Sequence, residues 1–255
     1  MAVIALCSAA GSPGVTTTSV ALAWNWPRPV MLVEADPVGG SSILAGTFGG
    51  MREYRAGLVE LATSNLDLAD ALGDVAEPIE GTGISFVAGP RSHLQVPSLE
   101  PLWGRLIDAL DARDEAGQDV IVDAGRLGMR GSPEPLLALA DLTLIVTRTD
   151  LVALSAVRSW AAALVERTPA WRDAGLLLVG AGQPYSAKEV GKALRLPVVS
   201  TVKLDPAAAE VYRSGAPAGR KWATSPYVRS VHATCDAITT RIARGRAELL
   251  QDVTP

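Results

Sequence analysis

The sequence predicts an α/β protein with a single doubly wound, mostly parallel sheet flanked by helices, and three observations carry that expectation. Short aliphatic or β-branched runs alternate with longer helical patterns along the whole chain. Several of the short runs are apolar for most of their length, as in strands covered by helices on both faces. No repeat, low-complexity tract or linker divides residues 1–255, so one domain is expected.

In order along the chain, strands are expected at Val3–Cys7, Val30–Glu34, Ile84–Ala88, Val120–Asp123, Leu142–Thr147, Leu176–Val179 and Val198–Thr201. Helices are expected at Thr16–Trp24, Tyr54–Ala62, Leu99–Ala112, Leu151–Glu166, Ala187–Leu194, Pro206–Arg213 and Tyr227–Leu250. This alternation implies right-handed crossovers. Leu151–Glu166 is apolar nearly all round, which predicts a helix buried in the domain or in a dimer contact. The last helix mixes apolar residues with Arg241, Arg244 and Arg246 and is interrupted by Gly245. Its apolar face is modest and has no Phe or Trp anchor, so packing on the domain is favoured over lying on a membrane. Trp24, Trp26, Trp103, Trp160 and Trp171 are expected to fill core or interface space.

With 48% hydrophobic and 20% charged residues, the chain can bury a sizeable core and is too apolar for disorder. A net charge of −4 gives no basic face for strong DNA binding, although the arginines of the last helix leave that contact open. Cys7 and Cys235, with His93 and His232, are too few and too scattered for a disulfide framework or a zinc knuckle. The histidines also lie far from any elbow-like Ser motif, which argues against a hydrolytic triad. The apolar start has no basic segment before it and runs into a Gly/Thr loop, so it reads as a buried strand rather than a signal peptide. No window reaches the roughly 18 uninterrupted apolar residues of a membrane span. A cytoplasmic protein is expected.

The segment Ser8-Ala-Ala-Gly-Ser-Pro-Gly-Val-Thr-Thr-Thr18 follows the first strand and opens the first helix. Glycines in such a loop let the backbone aim its N–H groups at phosphates on a helix N-terminus. A lysine ordinarily neutralises the phosphates and a Ser/Thr hydroxyl holds Mg²⁺. Gly11, Ser12, Gly14, Val15, Thr16 and Thr17 are therefore the candidate phosphate-lining residues, with Val15 standing where the lysine would be.

Five further segments raise the match. Met31-Leu-Val-Glu-Ala-Asp-Pro-Val-Gly-Gly40 resembles the V-D-A-D-P-Q-G segment of ParA/MinD proteins, and Asp119-Val-Ile-Val-Asp123 resembles their Walker B strand. Ala140-Asp-Leu-Thr-Leu-Ile-Val146 resembles a later strand. Leu196-Pro-Val-Val-Ser-Thr201 with Tyr212-Arg-Ser-Gly-Ala-Pro217 resembles the family ending. The chain thus resembles the ParA/MinD group of deviant P-loop ATPases, which includes TadZ/CpaE-like members. That resemblance implies ATP or ADP with Mg²⁺ as cofactor, Thr16 and Asp123 as metal ligands, and Asp36 and Asp123 as catalytic carboxylates. It also implies a homodimer and a protein partner of unstated identity.

The sequence departs from that family where its chemistry is concentrated. The family loop K-G-G-x-G-K-T-[TS] carries two lysines, and here their positions hold Ala10 and Val15. Each missing ammonium removes a charge-assisted contact of about 1.5–3 kcal/mol. Nucleotide binding is therefore expected to be weak or vestigial, and hydrolysis weak or lost. Pro13 removes one N–H donor, Glu34 replaces the first acidic residue of its segment, and Gly180 stands where relatives usually place a base-reading Asn. Two readings remain open. In one, backbone amides and an arginine such as Arg126 or Arg148 hold a nucleotide, although the favoured reading of both is ordinary loop-surface arginine. In the other, the pocket is a relic. The function expected is positioning or assembly through protein contacts, in partitioning, polar localisation or secretion and pilus assembly; a genuine ATPase switch with substituted cations is the alternative. Residues Gly39–Tyr54 follow the switch position and are read as a partner-binding loop.

Overall fold

The computed structural model describes residues 1–112, 117–166 and 171–252. Among the described residues eight strands form one sheet: β1 (Val3–Ser8), β2 (Val30–Glu34), β3 (Glu77–Pro78), β4 (Ile84–Val87), β5 (Asp119–Arg126), β6 (Leu142–Arg148), β7 (Ala174–Val179) and β8 (Val198–Val202). Their order across the sheet is β3-β4-β2-β5-β1-β6-β7-β8. Every pairing is parallel except that of the two-residue β3 with β4. The expected doubly wound sheet is what the chain builds.

Side-chain alternation sorts the strands into two layers. Val3, Ala5 and Cys7 of β1 face the layer containing α2 (Leu58–Thr63), α3 (Leu68–Val75), α4 (Leu102–Ala112), α5 (Glu134–Leu139), α6 (Leu151–Glu166) and α7 (Ala187–Leu194). Ile4 and Leu6 face the layer containing α1 (Val15–Trp24), α8 (Pro206–Ser214) and α9 (Pro226–Asp252). All six residues of β1 are buried, so it reads as a continuous apolar run.

Two aspartates at the starts of neighbouring strands clamp the entry to β1. Asp119, fully buried, accepts the Ala2 N–H at 2.8 Å, the Trp26 indole N–H at 2.9 Å and an Arg28 N–H at 2.5 Å. Asp141 accepts the Val3 N–H at 2.9 Å. These contacts tie β1 to β5 and β6 before the strand hydrogen bonds begin.

Several expectations are corrected. Gly245 does not interrupt the last helix, which runs unbroken from Pro226 to Asp252, because a single glycine costs only about 1 kcal/mol and packing upstream holds the helix. Tyr227, Val231, Cys235 and Ile238 anchor it against the sheet. The arginine cluster on α9 is not a free basic patch. Arg241 grips Asp173 through two hydrogen bonds at 2.7 and 2.6 Å, and Arg246 pairs with Asp141. Helix α6 buries Val157 and Leu164 but leaves Leu151 and Val152 in solvent, so it is one-sided rather than buried all round. The helix expected from Tyr54 begins at Leu58, where Gly57 lies against the Ala88 carbonyl, and the helix expected from Leu99 begins at Leu102, after a tight turn helix His93–Leu99. The Gly39–Tyr54 loop contains a wide helical turn, Ile43–Thr47, seated by Ile43 in the core. Among the described residues no helix is long and apolar enough to cross a membrane.

The Asp119 clamp is open to a direct check. Asp119→Ala leaves three donors without their buried acceptor and is expected to cost about 3–5 kcal/mol in urea denaturation. Arg28→Ala, which removes one half-exposed partner, is expected to cost about 1 kcal/mol or less.

Candidate functional site

The candidate site lies at the C-terminal edge of the sheet, where the central strand β1 turns into α1. Three residues of this turn sit in the left-handed region: Gly11 at φ +74°, Ser12 at +48° and Gly14 at +96°. For Ser12 that conformation costs on the order of 1 kcal/mol, which the surrounding fold must sustain. Gly14 caps α1, and its carbonyl accepts the Thr18 N–H at 2.9 Å. No side chain caps this helix end, so its first N–H groups are free to meet a ligand. A Cβ added at Gly11 would meet nothing within 4 Å, so the mouth of the loop is open. The loop keeps the shape of an anion cradle.

Its charge is another matter. Val15 is 7% exposed and joins the apolar layer beneath α1. Ala10 is half-buried. Thr16 and Thr17 are half-buried on the first turn of α1.

Three carboxyls converge beside the loop. Asp123, near the end of β5, is fully buried; its Oδ1 accepts the Gly125 N–H at 3.1 Å and its Oδ2 has no hydrogen-bond partner among the described residues. Burial pushes the Asp123 carboxyl up to about 7; the nearby Thr16 hydroxyl and the Gly125 N–H oppose this, while Asp36 and Glu34 add to it. Asp36 accepts the Val38 N–H at 3.0 Å and lies against Gly125, where any Cβ would run into its carboxyl. Gly125 itself has φ +62°, a second reason for glycine there. Burial raises Asp36 as well. Glu34, 2% exposed, is raised by burial, although the Ser41 hydroxyl and the N–H groups of Ile43 and Gly89, each at 3.2 Å, counter it.

Among the described residues no cation pairs with this trio, and no group of three or more His, Cys, Asp or Glu is arranged to hold a metal alone. What the residues do fit is one half of a metal–phosphate site. The orphaned Oδ2 of Asp123 beside the Thr16 hydroxyl suits a largely hydrated divalent cation, and the loop suits the phosphates beside it. When bound, such a cation would neutralise phosphate charge. The chain's own residues would position it and exclude water from the Asp123 side.

All of the residues singled out from the sequence, from Gly11 to Thr17 together with Asp36 and Asp123, thus gather at one edge. Arg126 and Arg148 end β5 and β6 at that edge with exposed side chains. Gly180 ends β7 at φ +73° and offers no side chain to read a base. Sequence reasoning did not anticipate Glu34 as a buried member of the cluster, or Gly125 as the floor under Asp36. The Asp123-Ala124-Gly125 run near the end of β5 was the available signal for Gly125.

A loop of this shape on the central strand, opening a helix beside a buried strand-end aspartate, defines the P-loop nucleotide-hydrolase fold. More narrowly, it is the fold of the MinD and ParA ATPases. The cell division ATPase MinD of Pyrococcus furiosus superimposes with a TM-score of 0.75 at 16% identity over 94% of this chain and 98% of its own. A ParA family ATPase from Chlorobium tepidum gives 0.74 at 16% identity over 92% and 97%. The septum site-determining protein MinD of Pyrococcus horikoshii, solved as a complex with Mg-ADP, gives 0.72 at 17% identity over 93% and 95%. No protein-family model and no curated protein matches the sequence. At these identities the likeness is one of fold.

The unneutralised trio generates a pH dependence. Folded Asp123 keeps its proton up to about pH 7, whereas an unfolded aspartate loses it near pH ~3.9. Between these values the folded chain binds the extra proton, so this contribution to stability is complete at the acid end and lost as pH rises through 7. Glu34 and Asp36 are raised too and act with the same sign. In metal-free buffer the melting temperature is expected to be higher near pH ~5.5 than near pH ~8, and Asp123→Asn should flatten that difference.

Proposed function

We propose that the chain is a cytoplasmic positioning or assembly factor of the ParA/MinD type, a single domain that acts as a homodimer through protein contacts and turns over little or no ATP. The observation that carries this reading is the loop whose backbone is kept while Val15 is packed into the core. A cradle without ammonium groups can hold a metal-bound phosphate. It lacks the charge that stabilises a transferring phosphoryl group. In this reading Gly11, Ser12, Gly14, Val15, Thr16 and Thr17 line the phosphates, Thr16 and Asp123 hold Mg²⁺, and Asp36 is the switch carboxylate.

Protein contact is supported by what the same edge exposes. Val38 after β2, Met129 after β5, Leu151 and Val152 after β6, and Leu204 after β8 are 41–81% exposed. These apolar side chains follow the C-terminal ends of four strands and so rim one face of the molecule. The ion pairs that occupy Arg241 and Arg246 argue against DNA as the partner.

Two measurements test the proposal together. Phosphate release from Mg-ATP is expected to match a protein-free control, and sustained turnover abolished by Asp36→Ala would sink the low-turnover reading in favour of a working ATPase. Sedimentation is expected to show a dimer that Leu151→Asp with Val152→Asp converts to a folded monomer; a wild-type monomer under all nucleotide conditions would remove the dimer from the reading.

A further inference from the structure

The sheet register gives the two strand-end arginines a place that composition alone could not. β1, which feeds the loop, is flanked by β5 on one side and β6 on the other. Ser8, the last residue of β1, is level with Arg126, and the Leu127 N–H donates to the Ser8 carbonyl at 2.8 Å. On the other side Cys7 is level with Ile145, so Arg148 lies about 10 Å further along, beside the loop that β1 becomes. Leu142, Leu144 and Val146 face the layer under α1, and alternation puts Arg148 on that same face; Val120, Val122 and Ala124 of β5 face the other layer, and Gly125, at φ +62°, breaks that alternation just before Arg126. Neighbouring strands are only about 4.8 Å apart, well within the reach of an arginine side chain.

Charge tells the same story. The first lysine of the chain is Lys188, so every cation of the four strands around the loop is an arginine. Arg91, which follows β4, is already engaged by Glu60 and lies over the Tyr54 ring. Arg126 and Arg148 have exposed side chains and, among the described residues, no ion pair or side-chain hydrogen bond. They do not neutralise the Glu34, Asp36 and Asp123 trio either. One stands on the Asp123 side of the loop and the other on the opposite side.

We propose that Arg126 and Arg148 supply, from the two strands flanking β1, the positive charge that the phosphate loop itself lacks, and so bind a metal-bound polyphosphate such as a nucleoside diphosphate. This rests on the reading that the loop still accepts phosphate. The orphaned, fully buried Oδ2 of Asp123 beside the Thr16 hydroxyl is the independent sign of a ligand there. Guanidinium groups suit the task, because two parallel N–H bonds to phosphate oxygens replace the point charge of an ammonium.

The test is calorimetric titration of the intact chain with Mg-ADP, and with Mg-pyrophosphate to remove any contribution of the base. Wild type is compared with Arg126→Ala, Arg148→Ala, both Lys replacements, and Ala10→Lys with Val15→Lys. Each Ala variant is expected to bind about tenfold more weakly or worse, as for loss of one charge-assisted contact, with unchanged melting temperature because both side chains are exposed. Recovery of part of the affinity by the Lys replacements supports the assignment. Wild-type binding that neither Ala variant weakens overturns the arginine assignment and leaves the phosphate site standing. No binding by wild type alongside binding by the Ala10→Lys, Val15→Lys variant overturns the assignment and shows an intact but uncharged cradle. Absence of binding in both overturns the phosphate reading as well.

Discussion

The hydrogen bonds and buried contacts that hold β1 between β5 and β6 set the position of everything chemically distinctive in this protein. The strand is covered on both faces and paired on both edges, and the Asp119 and Asp141 side chains pin its first N–H groups. A loop leaving such a strand inherits its rigidity. That is how Ser12 can be held in a left-handed conformation and how the first N–H groups of α1 are presented without a capping side chain.

The same frame explains the electrostatics. Asp123 is carried to the loop by β5, and Glu34 and Asp36 by β2 and the turn after it, strands adjacent in the sheet. Convergence of three carboxyls, two of them buried, is costly unless protons or a cation balance them. In related chemistry the balancing charge would stand in the loop. Here the loop offers Ala10 and a valine in the core, so the acidic side is complete and the basic side is not. The site is therefore better suited to respond to a cation or a metal-bound anion than to bind a free anion.

Apolar exposure completes the picture of a working edge. Loops over the C-terminal ends of parallel strands are where open α/β sheets place their ligands, since helices cover both faces. In this molecule that edge carries the cradle, the carboxyls, two exposed arginines and a rim of solvent-facing Val, Met and Leu side chains. The opposite edge, by contrast, carries satisfied pairs such as Arg28 with Asp119 and Arg246 with Asp141.

Much of this was legible in the residues themselves. Continuous apolar runs at Val30–Glu34 and Leu142–Thr147 located buried strands, because hydrophobic burial on two faces admits few polar residues. The Gly11 and Gly14 spacing located the turn that opens α1, because glycine adopts left-handed turns without strain. Short helices such as α3 and α5, and the tight turn at His93–Leu99, escaped notice; they form few helical turns and are held by tertiary packing rather than by their own periodicity. The unbroken course of α9 past Gly245 and the ion pairs of Arg241 and Arg246 could not be read from composition either, since both depend on partners far away in the chain. By itself the sequence determined the class of fold, the place of the cradle and the loss of its lysines, which are local patterns of residue type. Only the tertiary structure decided that Glu34 joins the buried carboxyls, that Gly125 underlies Asp36, and that Arg126 and Arg148 end the two strands beside β1, because strand register brings together residues far apart in the chain.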